Sequence, residues 1–300
     1  MKDVAVIIIN YNTAKYTLEC VASVYSKTRD SVDFRVIVID NNSEPEDFQL
    51  LKNGLKSYKN LHLHRSPINT GFGGGNMLGV QFSKAKYLLF LNNDAFFEND
   101  CLKILWNYME SNQEVGVSTA QNYDENGNHV ISFDHDKGLR KLLFGRSFLE
   151  KINPEKFPKR KKEYSEPVKV NYVNGAFMFF RTSVFEKVGG FDNNIFLYFE
   201  EMDICHRMRN INKSAMLVPK AKITHYQGVS TGVSKTISKE GIISYFYVIK
   251  KNYNYLKYSL IRLYYSLTFL IKPKKWFMLG LVLRGVPLSE SLKQKQKLRL

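Results

Sequence analysis

Val4–Ile9 is an unbroken run of six apolar residues, most of them β-branched, and it stops at Asn10-Tyr11-Asn12. A short run that is apolar at both alternating positions reads as a strand buried on both faces, the condition of a strand inside a parallel sheet. The pattern recurs. Phe34–Ile39 stops at Asp40-Asn41-Asn42, and Tyr87–Leu91 stops at Asn92-Asn93-Asp94. Stretches of helical length lie between these runs. Strand and helix therefore alternate, and the chain is expected to form a doubly wound, mostly parallel α/β sheet. Open sheets of this kind bind ligands beyond the carboxyl ends of their strands, which is where this chain gathers its polar residues.

The other elements follow from local signals. Asn12 or Thr13 is placed to cap a helix over 14–28. Ser43-Glu44-Pro45-Glu46 has the form of a capping box opening a helix that runs to Tyr58. Leu61–His64 reads as a third strand. Gly71-Phe72-Gly73-Gly74-Gly75-Asn76 reads as a turn into a helix ending near Lys84. A helix over 100–111 and a strand over 115–120 come next. Residues 122–167, with the basic run Lys159-Arg160-Lys161-Lys162, read as a long loop region. Val168–Phe180 reads as strand broken at Asn174-Gly175, followed by helices over 183–188 and 200–212. Residues 237–271 read as helical, and the basic tail from Ser289 as mobile. There is no internal repeat. The expected organisation is a domain over 1–235, with a nucleotide-binding half (1–121) and an acceptor half (122–235), and a helical extension over 236–300.

The 300 residues, 44% of them hydrophobic, suffice for a substantial core. The net charge of +16 suits an anionic partner. Residues 240–300 carry twelve Lys or Arg against two Glu, so ten of those sixteen charges are C-terminal. Cys20, Cys101 and Cys205 are too few and too far apart for a disulfide framework or a metal knuckle, which favours a reducing compartment. Met1-Lys2-Asp3 does not open a signal peptide. No stretch has the roughly 18 apolar residues of a spanning helix.

Chemistry concentrates at Tyr198-Phe199-Glu200-Glu201-Met202-Asp203, where three carboxylates fall within four residues behind an aromatic run. Apolar flanks make carboxylates costly, so such clusters tend to do chemistry. On a helix Glu200 and Asp203 share a face, while Glu201 projects about 100° from Glu200. The structural alternative is complementation of a helix dipole. Asp94, at the exit of a buried strand, suits a divalent cation, because Mg2+ and Mn2+ commonly bridge one or two carboxylates to substrate phosphates. His225, in Thr224-His225-Tyr226-Gln227-Gly228-Val229-Ser230, is a candidate for metal or phosphate contact, against the blander reading of a packed histidine. The glycine run gives GxGxxN after the third strand, so it is no dinucleotide fingerprint. Four glycines exceed what a turn needs and suggest close approach of a ligand to backbone.

The ordered set Ile8-Ile9-Asn10-Tyr11-Asn12, Val38-Ile39-Asp40-Asn41-Asn42-Ser43, Asn69-Thr70-Gly71-Phe72-Gly73, Leu91-Asn92-Asn93-Asp94, Gly189-Gly190-Phe191-Asp192, Tyr198 to Arg207 and His225…Gly228…Ser230 resembles family 2 of the inverting glycosyltransferases. The likeness is to its bacterial rhamnosyltransferase-like branch and covers residues 3–235. It implies a GT-A fold. Asn10, Tyr11 and Asp40 would hold the nucleoside of a UDP- or dTDP-sugar, and Asn69, Gly71, Phe72 and Asn76 would line the donor pocket. Asn93 and Asp94 would lie at the diphosphate, with Asp94 the last acid of a DxD-type metal motif and His225 facing the same Mg2+ or Mn2+. Glu201 matches the general base, with Glu200 and Asp203 as alternatives. Two departures stand out. The metal motif reads Asn-Asn-Asp, leaving a single carboxylate, and the base position holds Glu where the family usually has Asp.

The resemblance and the acidic sites together imply transfer of a sugar, with inversion, to a hydroxyl of a glycan or lipid-linked glycan. Two rival classes are weighed. A nicotinamide-dependent oxidoreductase needs its fingerprint after the first strand, where this chain has Asn10-Tyr11-Asn12. A nucleic-acid-binding protein accounts for the charge but not for acids clustered at strand ends. In the C-terminal segment Tyr245, Phe246, Tyr247, Tyr253, Tyr255, Tyr258, Tyr264, Tyr265 and Trp276 mix with lysines. That suits a helix lying on an anionic bilayer, at the cytoplasmic face of the cell membrane; the alternative is packing on the catalytic domain or a partner chain.

Overall fold

A computed structural model describes residues 2–28, 32–226 and 234–298 of the chain. The first half alternates as expected. β1 (Lys2–Asn10), α1 (Ala14–Lys27), β2 (Phe34–Asp40), α2 (Pro45–Gly54), β3 (Leu61–Arg65), α3 (Gly71–Val80) and β4 (Ala85–Asn92) lead to β5 (Ala95–Phe97), α4 (Cys101–Ser111) and β6 (Val115–Tyr123). Then come β7 (His129–Val130), β8 (Phe133–Asp134), α5 (Leu139–Phe144), α6 (Arg146–Ile152), β9 (Val168–Val170), β10 (Tyr172–Val173) and β11 (Phe177–Arg181). The chain continues through α7 (Thr182–Lys187), α8 (Glu200–Arg209), β12 (Ser214–His225), α9 (Lys235–Asn252), α10 (Tyr255–Leu270) and α11 (Trp276–Leu283).

The main sheet runs β3-β2-β1-β4-β11-β6-β12-β5. Its first four strands are parallel, as are β6 and β12, whereas β11 is antiparallel to both β4 and β6. The sheet is therefore mixed, with its parallel part where the apolar runs placed it. Alternate residues of β1 serve two cores. Val4, Val6 and Ile8 pack with residues of α1, α2 and α4. Ala5 and Ile7 join the cluster that includes residues of α7, α8, α9, α10 and α11. Burial on both faces is the reason the strand carries no polar residue between Val4 and Ile9.

Several local expectations are corrected. Residues 122–167 are not one loop; they hold β7, β8, α5 and α6. Ser43 does not cap α2, whose N-cap is Glu44. Its hydroxyl accepts instead from Asn10 Nδ2 (3.0 Å) and the Asn12 amide (2.9 Å). Thr13 occupies the N-cap of α1 without capping through its side chain, and Asp47 Oδ1 accepts the Ala14 N–H from across the loop (2.9 Å). The glycine run is the first turns of α3 itself, not a turn before it.

The twelve-residue strand β12 carries no clear sequence signal, because Pro219, Lys220 and Lys222 interrupt it. The sheet accommodates them with a register shift between Leu217 and Lys222. The C-terminal helical stretch breaks at Tyr253-Asn254, where Asn254 caps α10 by accepting from Lys257 N. The tail is docked rather than free. Ser291 Oγ and the Leu292 N–H donate to buried Glu240 (both 2.7 Å), and the Lys297 carbonyl accepts from Asn42 Nδ2 (3.2 Å). Tyr245, Phe246 and Tyr258 are buried in the core, which removes them from any membrane surface.

Candidate active site

The carboxyl ends of β1, β2 and β4 open onto a cavity of about 1000 Å3. One wall includes Tyr11, Asn41, Asn69, Gly71 and Phe72, and Asn93 and Asp94 also line the cavity. The wall is braced by hydrogen bonds between chain segments. Asn41 donates to Asn69 Oδ1 (2.9 Å) and the Gly71 carbonyl (3.0 Å), and accepts from Thr70 N (3.0 Å). Asn93 Nδ2 donates to Thr13 Oγ1 and Thr17 Oγ1, and Thr17 donates to Asn10.

Asn10, Asp40 and Asn76 lie behind this surface, a correction to their placement in the donor pocket. Asn10 and Asp40 are fully buried, and Asn10 Nδ2 bonds Asp40 Oδ1 (3.0 Å) and Asp47 Oδ2 (2.8 Å). Asn76 is buried and donates to the Phe72 carbonyl. These residues hold Tyr11, Asn41 and Phe72 in place, and the sequence reading overlooked Asn41 as the polar group facing the cavity.

Gly71 explains part of the glycine run. Its φ of +76° lies in the left-handed region, and a Cβ there would overlap the Phe196 carbonyl. The Phe72 amide donates to that same carbonyl (2.8 Å). Gly73 faces Glu200, and Gly75 and Gly79 let α3 sit tightly on Ile9 and Ile7 of β1. Most of the run thus serves helix-to-sheet packing, and Gly71 alone of these four glycines lines the cavity.

Asp94 and His225 meet because β5 pairs antiparallel with the end of β12, setting Ala95 opposite His225. His225 Nε2 lies 3.3 Å from Asp94 Oδ1. Both side chains are nearly buried, and neither Asp94 Oδ1 nor His225 Nδ1 has a hydrogen-bond partner. Among the described residues there is no group of three or more His, Cys, Asp or Glu that could hold a metal ion. One carboxylate oxygen and one imidazole fit a cation whose other ligands come from substrate phosphates and water. The companion residues Gly228 and Ser230 lie outside the described residues.

Glu200 and Glu201 open α8 across the same cavity. The loop before them is strained: Tyr198 and Phe199 both have left-handed φ, +72° and +71°. Each costs about 1–2 kcal/mol without glycine. Two contacts hold the turn. Ser244 Oγ of α9 donates to the Leu197 carbonyl (2.8 Å), and Phe196 accepts from Phe72. Glu200 is buried with Oε1 unpartnered, whereas Glu201 is partly exposed and faces Gly175. Burial and then the neighbouring Glu201 charge push the Glu200 carboxyl well up. Burial also raises Glu201, but a backbone hydrogen bond and the Lys137 ammonium oppose it. Both carboxyls are held above the ordinary glutamate range, and Glu200 is the more deeply buried of the two.

Asp203 is not a cavity residue, which corrects its place among the candidate catalytic acids. It is fully buried and bound by Arg207 (2.7 Å), Lys251 (3.1 Å) and Asn252 (2.9 Å), fastening α8 to α9. Two further cavity residues have no place among the sequence-based candidates. Lys137, 4.4 Å over the Phe199 ring, follows the two-residue strand β8, and Gly175 sits in the break noted between β10 and β11. Only the second had any sequence signal.

The cavity thus gathers Asp94, His225, Glu200 and Glu201 beside the polar strand ends. Residues 5–189 match the family model described as glycosyl transferase family 2. The chain belongs to glycosyl transferase family 2. Over 208 residues it is 32% identical to rhamnosyltransferase WbbL of Escherichia coli strain K12, covering 66% of this chain and 74% of that protein. That likeness places it in the bacterial rhamnosyltransferase-like branch of family 2. The structure superposes on GalNAc-T7, solved with UDP, GalNAc and Mn2+, at a TM-score of 0.63 and 16% identity, covering 96% of this chain and 57% of that one. It also superposes on Staphylococcus aureus TarS 1–349 in complex with UDP, at 0.54 and 16% identity, covering 82% of this chain and 65% of that one. The fold of this family 2 protein is GT-A, and the chain spans about three fifths of the length of those two solved chains.

Proposed function

We propose that this family 2 glycosyltransferase moves a hexose, rhamnose being the first candidate, from a UDP- or dTDP-sugar to a hydroxyl of a glycan acceptor, with inversion. The observation that carries the reading is the shared cavity: Asp94 with His225 on one wall and Glu201 on the other. Tyr11 and Asn41 flank the nucleoside, and Asn69, Gly71 and Phe72 line the donor side. Asp94 and His225 would hold a Mg2+ or Mn2+ ion, which supplies neutralisation of charge on the leaving diphosphate. WbbL is named for rhamnosyl transfer, and GalNAc-T7 was solved with Mn2+, which supports both choices.

Glu201 accepts the acceptor hydroxyl proton as that oxygen attacks the anomeric carbon. A double displacement would need a second carboxylate placed as nucleophile beside the sugar, and Glu200 is buried. A single displacement inverts the anomeric centre. Burial raises the basicity of Glu201, and the Lys137 ammonium favours its ionised form.

Thermal unfolding with UDP, dTDP, NAD and a DNA oligonucleotide, each with and without Mn2+, tests the reading. Metal-dependent stabilisation is expected from a nucleoside diphosphate alone. A shift with NAD or DNA and none with UDP or dTDP refutes it. The pH profile is a second check. Because Glu201 must be ionised, kcat/KM falls on the acid side with an apparent pKa above that of an ordinary glutamate. Lys137 favours the carboxylate, so Lys137→Met moves that limb to higher pH. A limb that stays in place separates Lys137 from the base.

A further inference from the structure

The outer face of α10 is apolar and uncovered. Leu256, Leu260, Leu263, Leu267 and Ile271 recur at helical spacing along one stripe and are all exposed, Ile271 at 76%. The opposite stripe of the same helix, Tyr258, Ile261 and Phe269, is buried in the core. The outer leucines are therefore not needed to hold α10 in place. Beside them α5 packs against α10, and the α5–α6 hairpin adds exposed Leu143, Phe144, Phe148 and Ile152. Trp276, 57% exposed, stands at the far end next to Lys272, Lys274 and Lys275, all exposed. No Asp or Glu occurs from Gly241 to Ser289. No helix among the described residues is long and apolar enough to cross a membrane.

We propose that this face is a docking surface for an anionic lipid bilayer, on which α10 and the α5–α6 hairpin lie with their leucines and phenylalanines in the acyl boundary. Charge decides between occupants. A second copy of the chain would bring the same lysines against these, whereas anionic headgroups complement them. The hairpin leaves and rejoins the cavity wall: Lys137, just before α5, and Arg160 and Lys161, beyond α6, line the cavity. Docking there sets the acceptor side of the cleft at the headgroup plane, where an acceptor held by a lipid presents its hydroxyl. That last consequence rests on the proposed transfer reading; the docking itself does not.

The test is sedimentation of the full chain with phosphatidylcholine vesicles and with vesicles containing phosphatidylglycerol. The native chain is expected to partition to the anionic vesicles and to be released by high salt. Leu263→Glu combined with Leu267→Glu should weaken binding by roughly 30-fold or more, and replacing Lys272, Lys274 and Lys275 by Gln by about a hundredfold. Neither variant touches the cavity, so thermal unfolding and its response to UDP or dTDP with Mn2+ should stay as in the native chain. No binding of the native chain to anionic vesicles overturns the proposal, as does undiminished binding by the leucine variant. A native oligomer that the leucine variant renders monomeric, without vesicle binding, assigns the face to a second copy and overturns it as well. Vesicle binding requires no turnover, so its failure and failure of the nucleotide panel are read separately.

Discussion

Glu201→Gln is expected to lower kcat by about a thousandfold while leaving nucleoside diphosphate binding intact. The amide keeps the size of the side chain and its place against Gly175. It removes the basic lone pair that would take the acceptor proton. Glu200 does not replace it, because it is buried against Gly73. The check is a pairing of measurements: turnover of a nucleotide-sugar, and thermal stabilisation by UDP or dTDP. Near-native turnover in Glu201→Gln would remove it from the reaction. Lost turnover together with lost nucleotide stabilisation would make it a folding residue.

Asp94→Asn should abolish the part of nucleotide stabilisation that depends on Mn2+ and lower kcat/KM by about a hundred- to a thousandfold, the several kcal/mol that charge neutralisation at a leaving diphosphate provides. The substitution is a gentle one for the fold. Asp94 Oδ1 has no hydrogen-bond partner, and the Asp94 carbonyl, which accepts from Tyr226 N (3.0 Å), is unchanged. With Asn-Asn-Asp at the end of β4 no neighbouring carboxylate takes over. Unaltered Mn2+ dependence in Asp94→Asn would move the cation elsewhere. Stabilisation by UDP without metal should persist, since Tyr11, Asn41 and Asn69 remain.

The legible parts of the site were those written into strand ends. Asp94 follows an apolar run and is where that run delivers it. Glu201 was separated from Glu200 by helix geometry alone, and the separation holds, with one acid buried and the other facing the cavity. The same reasoning misplaced Asp203. Spacing shows that Glu200 and Asp203 share a side of α8, but not that Lys251 and Asn252, nearly fifty residues later, close over Asp203. Asn10 and Asp40 were misjudged for a related reason. A polar residue at a strand end is equally suited to face a ligand or to brace a loop, and Ser43 and Asp47 claim these two. The strand β12 was hidden by its proline and lysines, and α5 and α6, of six and seven residues, are too short for a helical period to show.

The sequence alone determined the parallel half of the sheet and the edge at which ligands gather. Burial on two faces excludes polar residues from a strand, and that exclusion is written locally in Val4–Ile9, Val36–Ile39 and Tyr87–Leu91. Tertiary structure decided which polar groups meet. Asp94 reaches His225 only because β5 pairs with β12, and Glu201 faces the cavity only because Gly71 and Ser244 fasten the loop before α8. Such meetings depend on strand order and on contacts between residues far apart in the chain, and nothing in either local segment records its partner.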